Sequence, residues 1–408
     1  MVAPRPDGRV PALQRALVRR AQVSRPPSVL TVMGTRPEVI KLTPVVAALS
    51  DAGWARSMLV VTGQHRELAD AMLETFGLQP DIDLGLMRRN QEPARLLARM
   101  LGRLVPLLRR HRPDLVIAQG DTTTVLASSL AAFHAGIPFG HVEAGLRSHD
   151  LSRPFPEEMN RTLASRLASL HFAPTSEAVS NLLREGVDPA TVHLTGNPVV
   201  DMVRSVLTKA PGAPPPAVPG LDEDLLALAA SGRRPLLLAT LHRRENLEAG
   251  MEGVCAALAS LARQVPGALV VWPVHPNPAV RKAASILADV PGVHLLAPLP
   301  YPVFLRLLCC ARLVLTDSGG VQEEAVVLRR PLVVLRQVTE RPEAVSSGLA
   351  TVAGIEEARV VRAALDRLAM PDAGIQLVGP TPFGDGLAGR RIADIVRTWW
   401  NQEHRRSP

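Results

Sequence analysis

The stretch KAPGAPPPAVPG, residues 209–220, decides how the chain must be divided. Its prolines and glycines cannot continue a helix or a central strand, so it reads as a linker. Upstream, SVLTVMG, RSMLVVTG, DLVIAQGD, PFGHVEAG and HFAPT are apolar runs that each enter a turn. Between them lie amphipathic stretches such as RELADAMLETFG and TVLASSLAAFHAG, the latter closed by Gly136. Strands that are apolar throughout, with no alternation, indicate a parallel sheet covered on both faces. Downstream the same alternation resumes through RPLLLATLH, ALVVWPVH, VHLLAPL, RLVLTDSGG and PLVVLR.

The expected fold is therefore α/β, with two Rossmann-like doubly wound domains facing a cleft. Residues 28–208 form the first domain, 209–220 the linker, and 221–380 the second domain. Residues 381–408 form a C-terminal helical segment. Ligands of such sheets sit outside the carboxyl ends of the strands, so polar residues just after each strand are the ones to read.

Composition narrows the function. The chain has 408 residues, is 47% hydrophobic and carries a formal charge of +8. Residues 1–27 hold six arginines against Asp7, which accounts for +5 of that charge. This stretch has no apolar segment typical of a secretory signal and is expected to be a disordered basic extension. The remaining charge is mixed in sign, and only 3% of residues are aromatic, so neither a nucleic-acid surface nor a base-stacking platform is expected. No apolar run reaches the ~20 residues of a membrane span. Three cysteines, two of them adjacent, form neither a disulfide framework nor a CxxC pair, which suits the reducing cytoplasm.

The post-strand motifs carry the chemistry. GTRPEVIKL (34–42) offers Gly34 for a tight turn and Arg36 for an anionic ligand or a neighbouring carboxylate; without GxGxxG it is not a dinucleotide fingerprint. DSGGVQEEA (317–325) places Ser318, Gly319 and Gly320 at a helix start, either as a phosphate site or as a plain cap. Glu323 and Glu324 one turn later suit ribose hydroxyls. It is no Walker A loop. QGDTTTV (119–125) puts Asp121 after a strand, where an acid is often an N-cap. His242 in ATLHRRENL and His275 after VVWPV occupy matching places in the second half. No HExxH or other spaced ligand set supports a metal. The stretch FGHVEAGLRSHDLSRPFPEEMN (139–160) gathers Glu143, Arg147, Asp150, Arg153, Glu157 and Glu158. Pro156-Glu157-Glu158 is also an ordinary helix start.

In order, GTRPEVIK, GQHRE, GDTTT, HVEAGLRS, PFPEEMNR, TGNPVVD, HRREN, PVHPNP, LTDSGGVQEEA and TERPE resemble the non-hydrolysing UDP-N-acetylglucosamine 2-epimerases over roughly residues 28–400. The resemblance implies the glycosyltransferase-B architecture, a cytoplasmic homodimer, and a C-terminal helix, GLAGRRIADIVRTWW, crossing back onto the first domain. It implies interconversion of UDP-GlcNAc and UDP-ManNAc by expulsion of UDP to 2-acetamidoglucal and re-addition. No metal, nicotinamide or other cofactor is implied.

By motif match, Asp121, Glu143, Glu157 and His242 are the catalytic candidates. Arg36, Ser318, Gly319 and Gly320 match diphosphate contacts and Glu324 a ribose contact. Lys41, Arg161, His275 and Arg341 complete the substrate-binding set. Arg147 and Arg153 are expected to orient the carboxylates, and Gln64 and His65 resemble part of a regulatory site. Leu241, the Gln337-Val338 pair and GLATVAGI depart from the pattern on the sugar side. The rivals are a hydrolysing sibling, a sibling acting on a modified sugar, a glycosyltransferase of the same fold, and a non-catalytic UDP-sugar sensor.

Overall fold

A computed structural model describes residues 26–63, 66–88, 92–208, 217–243, 251–371 and 380–405. The basic extension (bar its last two residues), most of the linker, and the pair Gln64 and His65 lie outside the described residues.

The first sheet contains β1 (Ser28–Met33), β2 (Arg56–Val61), β3 (Ile82–Asp83), β4 (Leu115–Gln119), β5 (Phe139–Val142), β6 (Leu170–Ala173) and β7 (Val192–Leu194). Its order is β3-β2-β1-β4-β5-β6-β7, parallel throughout. The second contains β8 (Leu236–Thr240), β9 (Leu269–Pro273), β10 (Val293–Leu296), β11 (Ala311–Thr316), β12 (Leu332–Val334) and β13 (Ala350–Val352), in the order β10-β9-β8-β11-β12-β13 and again parallel. β1, β4, β5 and β6 are buried along their whole length, which is why their sequences are apolar on both faces.

In each sheet the strand order reverses beside the first strand, between β1 and β4 and between β8 and β11. Crossovers leave these points to opposite sides of the sheet and open a crevice there. The helices that follow are capped by the turn residues. Thr122, not Asp121, is the N-cap of helix Thr123–Ala135, its hydroxyl accepting from the Val125 amide, and Gly136 ends that helix at φ 66°. This releases Asp121 from a capping role.

Helix Ala388–Arg405 lies on helix Arg36–Asp51 of the first sheet. A Cβ on Gly389 would stand 2.6 Å from the Pro44 carbonyl oxygen, so only glycine permits this approach. Asp201 caps the incoming helix by accepting from the amides of Ala388 and Gly389 at 3.1 and 2.9 Å. Ile392, Ala393 and Val396 continue the apolar core that lies beneath the first sheet and runs on into the second.

Candidate active site

Glu143 follows β5 directly, at φ 64°, a left-handed conformation uncommon for a residue with a side chain. That backbone turns its carboxylate into the space between the sheets. Oε1 accepts from Lys41 Nζ and, at 2.9 Å, from Asn197 Nδ2; Oε2 accepts from Gln119 Nε2. Arg341 Nη2 lies 3.6 Å from Oε1. Burial alone would raise this carboxyl, but Lys41 and Arg341 overcome it and hold Glu143 at about 2.

The same two cations reach Glu323: Lys41 Nζ at 2.8 Å and Arg341 Nε at 2.8 Å. Arg341 also pairs with Glu340 at 3.1 Å, and Glu340 in turn holds Arg336 and, at 3.4 Å, Arg243. Lys41 and Glu143 belong to the first sheet, Glu323 and Arg341 to the second, so buried ion pairs tie the two halves together. Glu323 is thereby corrected: it is a fully buried member of this network and does not face a ribose.

Asp121 and Glu157 sit beside the network. Arg161 Nη2 lies 2.8 Å from Asp121 Oδ2 and its Nη1 3.4 Å from Glu158 Oε2. Glu158 accepts from the amides of Ser148 and His149, pinning the loop after Glu143. Glu157, in the first turn of helix Glu157–Leu167, has its carboxyl pushed upward, first by burial and then by the negative charge of Asp121.

From the second sheet, Asp317 directly follows β11 and is wholly buried. It accepts from the His242 amide with both oxygens at 3.1 Å and from the Arg243 amide at 3.0 Å, and lies 3.3 Å from His242 Nδ1. Burial opposes its ionisation, but His242 and these amides hold its carboxyl below the usual value. Asp317 thus engages the Nδ1 edge of the His242 ring and orients it. The His275 ring stacks on that of His242, centroids 5.8 Å apart. Arg243 draws the halves into one site: Glu340, Glu157, Asp121 and Asp317 all raise its basicity against the effect of burial.

At the diphosphate candidates, Ser318 caps helix Gly319–Val327. A Cβ on Gly319 would lie 3.0 Å from Arg341 Cζ, whereas one on Gly320 would meet nothing within 4 Å. The glycine requirement at 319 thus comes from the guanidinium packed on it. Glu324 is buried beside the Tyr301 hydroxyl and Arg36; burial pushes it up to about 7, and these neighbours oppose the rise. Burial lowers the basicity of Arg36, and Glu324 opposes the fall.

Two expectations fail. Arg147 pairs with Glu185 at 2.7 and 2.9 Å, bracing the end of helix Ser176–Arg184 and not a site carboxylate. Arg153 is exposed, and its charge bears on exposed Asp150. Conversely, the structure adds Asp317, Arg243, Gln119, Asn197 and Glu340 to the site. Gln119, the last residue of β4, and Asp317, the first after β11, lie inside the QGDTTTV and DSGGVQEEA motifs, and that position is the signal the sequence offers.

The UDP-N-acetylglucosamine 2-epimerase family model matches residues 47–397. A UDP-N-acetylglucosamine 2-epimerase of Yersinia pestis is 43% identical over 377 residues, covering 90% of this chain and 98% of the relative. That of Bacillus subtilis (strain 168) is 41% identical over 368 residues, covering 90% and 94%. The crystal structure of the Neisseria meningitidis UDP-GlcNAc 2-epimerase bound to UDP-GlcNAc is similar at 37% identity and TM-score 0.82, covering 91% of this chain and 100% of that one. A glycosyltransferase of kitacinnamycin at 15% identity and TM-score 0.59 shares the fold alone, over 92% of this chain and 99% of its own. With two sheets of glycosyltransferase-B type and the ordered motifs converging on one cleft, the chain belongs to the UDP-N-acetylglucosamine 2-epimerase family.

Proposed function

We propose that this enzyme interconverts UDP-GlcNAc and UDP-ManNAc by eliminating UDP from C1 as C2 loses its proton, then re-adding UDP with protonation of C2 from the other face. The observation that carries the reading is the position of Arg243, within the field of Asp121 and Glu157 from one sheet and Asp317, the partner of His242, from the other. Proton carriers from both walls of a cleft are what a reaction at two faces of one carbon requires. Burial and the charge of Asp121 push the Glu157 carboxyl above its ordinary value. His242 is aimed by Asp317, and Arg161 holds Asp121 in place. Glu143, held ionised at about 2, is a fixed charge and a poor proton carrier in this arrangement.

Departing UDP acquires negative charge, for which Arg36, Arg341 and the amides at the start of helix Gly319–Val327 are the counter-groups. Glu324 is the ribose contact and His275 lies on the sugar side. The enzyme acts as a cytoplasmic homodimer, as the family resemblance implies. Among the described residues no helix is long and apolar enough to cross a membrane.

The test is NMR of the products formed from UDP-GlcNAc in D2O. UDP-ManNAc carrying deuterium at C2 is expected. Free ManNAc with UDP would favour the hydrolysing reading, and product without solvent deuterium at C2 would exclude the proton exchange.

A further inference from the structure

Glu143 needs more than cations to stay where it is. Its φ of 64° is a conformation the chain must be held in, and an ammonium such as Lys41 supplies charge with little direction. Direction comes from two amide donors, Gln119 on Oε2 and, on Oε1, Asn197, which is 1% exposed and whose polar groups named here are all committed. The Asn197 Nδ2 donates to Glu143 Oε1 at 2.9 Å, its Oδ1 accepts from the Val199 amide at 3.0 Å, and its own amide donates to the Phe383 carbonyl at 2.7 Å.

Phe383 belongs to the segment leading into helix Ala388–Arg405, far away in sequence. There the backbones of Gly196 (φ 85°) and Gly384 (φ 115°) touch: a Cβ on Gly384 would stand 3.1 Å from Gly196 Cα. Arg391 locks this strap, pairing with Asp385 twice at 2.7 Å and donating to the Thr195 carbonyl at 3.2 Å. Phe383 itself is 1% exposed.

We propose that Asn197 is a positioning residue, aligning the Glu143 carboxylate and itself set in place by the C-terminal strap around Phe383 and Gly384. The C-terminal crossing is then part of the active site's construction. This rests on Glu143 being part of the catalytic machinery.

The test compares kcat, KM and UDP affinity of Asn197→Ser, Asn197→Asp, Gly384→Ala and Glu143→Gln in the full chain. Serine can still cap helix Pro198–Thr208 but is too short to reach Glu143. Asn197→Ser should lower kcat on the order of 10²-fold, the scale of a small misplacement at a reacting centre, with UDP affinity unchanged. Gly384→Ala should act in the same sense. Asn197→Asp is isosteric and sets a second carboxylate against Glu143. Its turnover should recover as pH falls and one of the two takes a proton, a change in pH profile that a purely architectural residue would not cause. Wild-type kcat in Asn197→Ser, with Glu143→Gln inactive, overturns the positioning role. An active Glu143→Gln overturns instead the reading of Glu143 on which it rests.

Discussion

Replacing Lys41 with methionine removes one buried cation and leaves the rest of the site nearly the same shape. The side chains of Lys41 and Glu143 are 5% and 4% exposed, and that of Glu323 is 1% exposed, so water cannot take over the lost contacts. Removing one partner of a buried ion pair typically costs about 3–5 kcal/mol, because the remaining charge is stranded. Here two carboxylates are stranded with Arg341 alone to share. With m at the ~3 kcal/mol per M end of the urea range, the unfolding midpoint should fall by about 1–2 M at pH 7.5.

The pH dependence distinguishes charge from packing. In the wild-type protein Glu143 titrates at about 2 against an ordinary 4.5, so its contribution is present above 4.5 and lost only as pH falls through about 2. Burial already lifts Glu323 above the ordinary value although Lys41 and Arg341 oppose the rise; without Lys41 it lifts Glu143 as well and Glu323 further. The deficit of the variant relative to the wild type should then shrink as pH falls from 7.5 to 5.5. Urea denaturation at the two pH values reads this directly. An unchanged midpoint at pH 7.5, or a deficit equal at both, would refute the reasoning, since a pure packing loss does not titrate.

Two further outcomes follow from the same geometry. Gly319→Ala should weaken UDP binding measured by calorimetry, because its Cβ would press on the Arg341 guanidinium from 3.0 Å, while Gly320→Ala, meeting nothing within 4 Å, should leave it near wild type. Asp317→Asn should lower kcat by the ~10²–10⁴ typical of a lost general acid or base, with KM little changed, because His242 loses the carboxylate that faces its Nδ1.

The sequence displayed the central strands far better than the edges. β1, β4, β8 and β11 are long apolar runs because both faces of a central parallel strand are covered. β3, β7 and β13 are two or three residues long and partly exposed, so they carry no run to read. The catalytic candidates were legible through the ordered motifs of the family, and three of them, Asp121, Glu143 and His242, also stand just after a strand at the cleft. What could not be read was partnership. Glu323 and Glu324 are adjacent, yet one enters an ion-pair network and the other lies against Tyr301 and Arg36. Arg147 stands four residues from Glu143 and turns to Glu185 instead. Which of two neighbouring side chains faces a distant element depends on helix phase and loop path, and no local pattern encodes that.

The charges gathered after β5 therefore separate into different tasks according to what surrounds them. Lys41 and Arg341 hold the Glu143 carboxyl below the ordinary value, whereas burial and then Asp121 push that of Glu157 above it. Environments that push two carboxyls apart are how one site provides both a fixed charge and a proton carrier at the same pH. The cations that fix Glu143 also pair with Glu323, and one of them, Arg341, comes from the opposite sheet. The ion pairs that hold Glu143 ionised are thus among those that join the two sheets, together with the Lys41–Glu323 pair.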